Sequence, residues 1–108
     1  MSITVALDEL HGALAGREWG YLVTVGPDLR AHLVAVPTDL RDGMLFVSGG
    51  RSSLANAAIR PEVTMVFPPT GRDGMSLIVD GDAAVVADHL EIRPSGAVLH
   101  RAAPSLTE

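Results

Sequence analysis

Val47-Ser48-Gly49-Gly50-Arg51-Ser52-Ser53-Leu54-Ala55-Asn56 is the stretch on which the reading turns. The apolar run Met44-Leu45-Phe46-Val47, opened by the turn signal Asp42-Gly43, predicts a strand. Past the two glycines, Ser52 or Ser53 is placed to cap a short helix carrying Leu54, Ala55, Ala58 and Ile59. Pro61 disfavours helical geometry at Arg60 and ends it there. A strand that runs through a glycine pair into a helix start gathers free backbone N–H groups, two hydroxyls and the Arg51 guanidinium, the components of an anion site. The plainer reading of the same residues is a capped turn.

Outward from this stretch the chain reads mainly as strand. On the N-terminal side, Gly20–Val25 is rich in β-branched and aromatic residues and runs into the turn Gly26-Pro27-Asp28. Arg30–Pro37 then alternates His32, Val34 and Val36 against Ala31, Leu33 and Ala35, the second strand of a hairpin. Before both, Leu7, Leu10, His11 and Leu14 have helical spacing, with Asp8 and Glu9 in the first turn and Gly16 at the stop. On the C-terminal side, Glu62–Phe67 is a strand that Pro68-Pro69 forbids from continuing. The loop Thr70–Gly74 leads to Met75–Val79, Asp80-Gly81-Asp82 marks a bend or hairpin, and Ala83–Ala87 continues as strand. Leu90–Leu99 is extended, with Pro94 and Gly96 signalling a bulge or an edge, and the tail from Arg101 to Glu108 frays. Six short strands and two short helices, without βαβ alternation or repeats, predict an antiparallel barrel.

Composition bounds the function. At 108 residues the chain is expected to be a single domain over its whole length. With 47% hydrophobic and 19% charged residues it is neither disordered nor a coiled coil. A formal charge of −5 disfavours a nucleic-acid partner, and all eight cationic side chains are arginine. Cysteine is absent, which removes disulfides and thiolate metal sites. No apolar run reaches the roughly 18 residues of a membrane span, and the N-terminus lacks a basic leader, so no membrane partner and a cytoplasmic location are expected. A domain this small buries only about 60–70% of its unfolded surface, so an apolar sequence calls for oligomerisation.

Other candidates for chemistry read as structure. His11, His32, His89 and His100 have no metal-ligand spacing and read as satisfied or half-exposed imidazoles. Asp80 and Asp82 straddle Gly81 as turn residues rather than a carboxylate pair, and no nucleophile elbow accompanies any serine. Arg17, Arg41, Arg72 and Arg93 lie near expected turns or strand ends, where solvated surface charge is the default.

The order of these segments resembles the pyridoxamine 5′-phosphate oxidase-like superfamily of FMN-binding split barrels. The carriers are Gly20–Val25, the turn, Arg30–Val36, the strand-to-helix segment Gly49–Asn56 with Arg60-Pro61, and Ser76–Gly81. The resemblance implies a mainly β fold, a six-stranded antiparallel Greek-key split barrel with two short helices, assembled as a homodimer. It implies a cofactor, FMN or the deazaflavin coenzyme F-420, whose ring lies along the backbone of His32, Leu33, Val34, Ala35 and Val36. The phosphate would sit at Ser48, Gly49, Gly50, Arg51, Ser52 and Ser53, with Asn56 at the inner end of the helix. The activity implied is an oxidoreductase acting on a small-molecule substrate, with no evident catalytic acid or base. Two departures matter. The family's phosphate-loop lysine is missing, leaving Arg51 from a shifted position, and no Trp- and Arg-rich C-terminal segment follows by Glu108. These argue against pyridoxamine-phosphate oxidation and keep open an alternative, a cofactor-free barrel serving as a small-molecule or protein-binding module. Leu33, Ala35 and Val47 are expected on the apolar face of the dimer.

Overall fold

In the computed structural model, which describes residues 1–71 and 74–106, the chain closes into an antiparallel barrel. Arg72 and Asp73 of the Thr70–Gly74 loop, and Thr107 and Glu108 of the tail, lie outside the described residues. The strands are β1 (Ser2–Thr4), β2 (Trp19–Val25), β3 (Ala31–Arg41), β4 (Met44–Ser48), β5 (Glu62–Phe67), β6 (Ser76–Val86) and β7 (His89–His100). A single 3-10 turn at Leu7–Glu9 runs into α1 (Leu10–Leu14), and α2 (Arg51–Ile59) follows β4. The hydrogen-bonded order β7-β4-β3-β2-β5-β6 is closed by pairing of β6 with β7, while β1 adds to the far end of β7. The mainly β split barrel read from the sequence is therefore the fold. No described helix is long and apolar enough to cross a membrane.

The core follows from the period of two. Leu22, Val36, Leu45, Val47, Met65, Phe67, Leu77, Val79, Leu90 and Ile92 all turn inward and are buried. Val47 thus belongs to the core and not to the outer face with Leu33 and Ala35, because the β3–β4 register pairs it with the inward Thr38. β1 was not read from the sequence, since three exposed residues carry no alternating pattern. In the leading helix the buried side is Leu10 with Ala13 and Leu14 packed on the core, while Leu7 and His11 are exposed. The helix is a turn shorter than its spacing suggested, and the stripe shifts accordingly.

Two positions that look ordinary in sequence hold the closure of the barrel. Arg17, expected in solvent, is 8% exposed. Its Nη1 donates to the carbonyl oxygens of Phe67, Pro68 and Met75 at 3.4, 3.1 and 2.9 Å, and its Nε donates to that of Ala13 at 3.1 Å. One guanidinium thus joins α1 to the end of β5 and the approach to β6, where the double proline ends the ladder. The segment Asp80-Gly81-Asp82 is neither turn nor hairpin. It lies inside β6, where the pairing with β7 slips between Asp80 and Gly81 so that Ser95 becomes an extra residue. The bulge bends the long β6–β7 ribbon around the barrel. A Cβ on Gly81 would stand 2.6 Å from the Arg93 carbonyl oxygen and 2.7 Å from Ile92 Cγ2.

That approach makes Gly81→Ala an overpacking mutation against backbone. It is expected to destabilise by about 2–3 kcal/mol, read as a lowered urea midpoint at unchanged m-value, whereas Gly96→Ala, with nothing within 4 Å, should shift the midpoint far less.

Candidate functional site

The site is built by a change of partners along β3. Residues 31–37 pair with β2, while only Thr38–Arg41 pair with β4. The bonds from Gly26 N–H to Arg30 O (2.9 Å) and from Thr38 N–H to Glu18 O (3.0 Å) fix which residues face β2. They are the even-numbered ones, His32, Val34 and Val36, since neighbouring residues of a strand point their polar groups opposite ways. The N–H and C=O groups of Ala31, Leu33 and Ala35 therefore point to the other edge, which no strand among the described residues covers because β4 leaves the sheet after Ser48. Pro37 stands where the pairing changes and has no N–H to leave unmet.

α2 starts near the Pro37 end of this open edge and packs against β2 and β6. Its N-cap is Gly50, two residues past Ser48, which is level with Pro37. By Asn56 it has reached the far end of the β2–β3 hairpin, where Asn56 Nδ2 donates to Thr24 Oγ1 at 3.1 Å. Ser53, Asn56 and Ala57 form its buried side, packed toward the barrel interior. The cap differs from the expected one. Gly50 is the N-cap, neither Ser52 nor Ser53 makes a capping bond, and the first helical bond is Leu54 N–H to Gly50 O. Among the described residues, the N–H groups of Arg51, Ser52 and Ser53 thus have no acceptor at the positive end of the helix. Gly50 has an extended backbone, φ −73°, that any residue adopts, and nothing lies within 4 Å of where its Cβ would stand. The fold itself asks for no glycine there.

Ser53 is the unusual member. It is 1% exposed, and its Oγ is the one buried side-chain polar atom without a hydrogen-bond partner among the described residues. A buried hydroxyl left unpaired costs about 1–3 kcal/mol. Its Cβ lies 3.4 Å from where a Cβ on Gly49 would be, so the side chain is tucked beneath the glycine loop.

The structure leaves Ser48, Gly50, Arg51 and Ser52 exposed where β4 ends, with Gly49 half-buried and Ser53 buried beneath, and it leaves Leu33 and Ala35 exposed on β3. It turns His32, Val34 and Val36 toward the interior and commits their backbone to β2. Asn56, expected among the cofactor-binding residues, is buried and donates its side-chain N–H to Thr24 Oγ1. No cluster of three potential metal ligands occurs among the described residues.

Beyond the edge, the outer sheet face is apolar. The cross-strand row Ala35–Tyr21–Val66–Ile78–Val98 crosses five strands, and Trp19 meets Tyr21 edge-on with ring centroids 5.3 Å apart. Leu33, at 57% exposure, extends the row.

No family model matches the sequence. It is 42% identical over 90 residues to uncharacterised proteins of Mycobacterium bovis and Mycobacterium tuberculosis, a match spanning 73% of this chain and 63% of each relative. The chain therefore matches less than two thirds of those proteins' length. Among solved structures, a FAD-binding protein of Mesorhizobium loti superposes with a TM-score of 0.71 at 14% identity, covering 94% of this chain and 98% of that one. The FAD-binding protein of Mycobacterium smegmatis gives 0.69 at 20% identity, covering 94% and 100%. An F-420 reductase gives 0.68 at 18% identity, covering 81% and 94%. The fold is that of the pyridoxamine 5′-phosphate oxidase-like split barrels.

The orphaned hydroxyl makes a stability prediction. Ser53→Ala should stabilise the cofactor-free protein by about 1 kcal/mol, because it removes a buried unpaired group; a thermal melt checks this, and a lower Tm would mean that Ser53 Oγ is satisfied after all.

Proposed function

We propose that this split barrel binds a phosphorylated flavin or deazaflavin, FMN or coenzyme F-420, and works as a homodimeric oxidoreductase on a small substrate. The observation that carries the reading is the unpartnered Ser53 Oγ beneath an uncapped helix start, beside a bare strand edge. The residues present fit such a group. Three free N–H groups and the Ser52 hydroxyl suit phosphate oxygens, and Gly50 leaves room for close approach. Arg51, exposed in the first turn of α2, supplies the only cationic side chain of the loop. It stands in for the lysine that this loop lacks.

When bound, the cofactor would supply hydride transfer. The chain's own part is to bind and orient. Ala31, Leu33 and Ala35 offer alternating donors and acceptors to the polar rim of a flat ring, and the Leu33 side chain offers apolar surface that excludes water. The outer row from Ala35 to Val98 supports a second subunit as the remaining wall, since exposed apolar surface of that extent calls for cover and stable interfaces bury on the order of 1,200 Å² or more. The FAD-binding and F-420-reducing proteins that share the fold support the cofactor class.

The test is separate titration with FMN, FAD and F-420, followed by absorbance and fluorescence, with light scattering to read a mass of twice 11.3 kDa. One of the three should bind at micromolar concentration. Arg51→Ala should then weaken binding about tenfold, the worth of one charge-assisted contact, with an unchanged melt. Binding of none would leave the barrel as a cofactor-free module, and equal affinity for wild type and Arg51→Ala would remove the phosphate role from Arg51.

A further inference from the structure

A groove begins where the proposed cofactor site ends. Ser48, the last residue of β4, pairs with His89, and from there a groove of about 520 Å³ runs over the outer face of β3, β4 and β7. Its floor is Phe46, half-buried, flanked across the strands by Asp39 on β3 and Glu91 on β7. Along one side the Arg41 guanidinium lies 4.5 Å from the Phe46 ring centroid, with Nη2 3.4 Å from Asp39 Oδ2. On the other, the His89 ring is 6.2 Å from Phe46, with Nε2 3.1 Å from Glu91 Oε2 and Nδ1 3.7 Å from Asp88 Oδ1. Three carboxylates thus face one guanidinium.

We infer that this groove takes a planar cationic aromatic group, and that it is the subsite where the proposed oxidoreductase holds its substrate. The role as a substrate subsite rests on the cofactor reading above; the chemistry of the groove does not. Arg41 already shows what the floor accepts, a flat cation over an aromatic face with a carboxylate at its rim. Its side chain is 64% exposed, and an exposed pair of this kind is worth at most about 1 kcal/mol, so it yields to a competing cation. An aryl amidinium adds what Arg41 lacks, a ring to stack on Phe46 and reach toward the imidazole of His89. The remaining Glu91 oxygen and the exposed Asp88 meet its charge. An aryl carboxylate of the same shape would be repelled.

Benzamidine, benzoate and benzyl alcohol, matched in shape and differing in charge, are the probes. Each is titrated into the full chain without cofactor and followed by amide chemical shifts. Benzamidine should give saturable shifts centred on Phe46, His89 and Glu91, and benzoate none. Glu91→Gln should weaken benzamidine about threefold, the scale of one exposed charge pair. Arg41→Ala should tighten it by a similar factor by vacating the ring, whereas removing the remote Arg30 should not, which separates competition from a general change of charge. Phe46→Leu, with its melt checked, should abolish it. Equal binding of benzoate, shifts centred elsewhere, or weaker binding by Arg41→Ala would overturn the inference. Failure of these titrations overturns the groove alone, and failure of the flavin titrations overturns only the cofactor reading.

Discussion

Much of this structure depends on the inability of β3 to be paired along both edges. Its even-numbered residues spend their hydrogen bonds on β2 over most of the strand, while its odd-numbered ones meet β4 only at the far end. The limit is set by β4, which is five residues long and leaves the sheet at Gly49-Gly50. A bare edge is a liability for a protein in water, because it invites pairing with another chain. Here Pro37 removes one donor at the junction, and the chain turns from β4 into α2 beside it. What is left is a short row of backbone groups next to a helix start. The opening in the barrel and the candidate site have one cause.

The rest of the fold serves to keep that opening local. β6 and β7 wrap the opposite side as a long ribbon, bent at the Gly81 bulge so that its two ends reach different neighbours. β7 pairs with β4 through its first residues and with β1 through its last, which leaves Pro94 on a stretch where its missing N–H costs nothing. Arg17 closes the end where Pro68 and Pro69 interrupt the ladder. Barrel closure is thus secured far from the site, and the strain of an unpaired hydroxyl is confined to Ser53. Such polar mismatches concentrate where a structure serves something besides its own stability.

The strands were legible because inward and outward residues alternate so regularly, as in Arg30–Pro37, and because Asp42-Gly43 and Pro68-Pro69 punctuate them. The bulge was legible through Pro94 and Gly96. Less could be read wherever long-range contacts decide. Arg17 is an arginine beside a glycine in sequence, and only the arrival of three carbonyls from fifty residues away makes it internal. Val47 reads as apolar on either face, and its register with Thr38 settles the matter. The loop Gly49–Ser53 was found as a candidate, but its cap was misassigned because Ser52, Ser53 and Gly50 are all acceptable N-caps locally. That Ser53 turns inward, and that only the odd residues of β3 face the opening, are consequences of register. The groove at Phe46 carried no sequence signal, since its residues come from three strands.

Amide hydrogen exchange along β3 tests the central claim most directly, since it reports each backbone group separately. In the cofactor-free protein, Ala31, Leu33 and Ala35 should exchange far faster than His32, Val34 and Val36, in strict alternation. Adding the flavin or deazaflavin that binds should slow the odd-numbered set and leave the even-numbered set unchanged. Equal protection of all six amides before any cofactor is added would mean that the edge is covered, and would contradict the account.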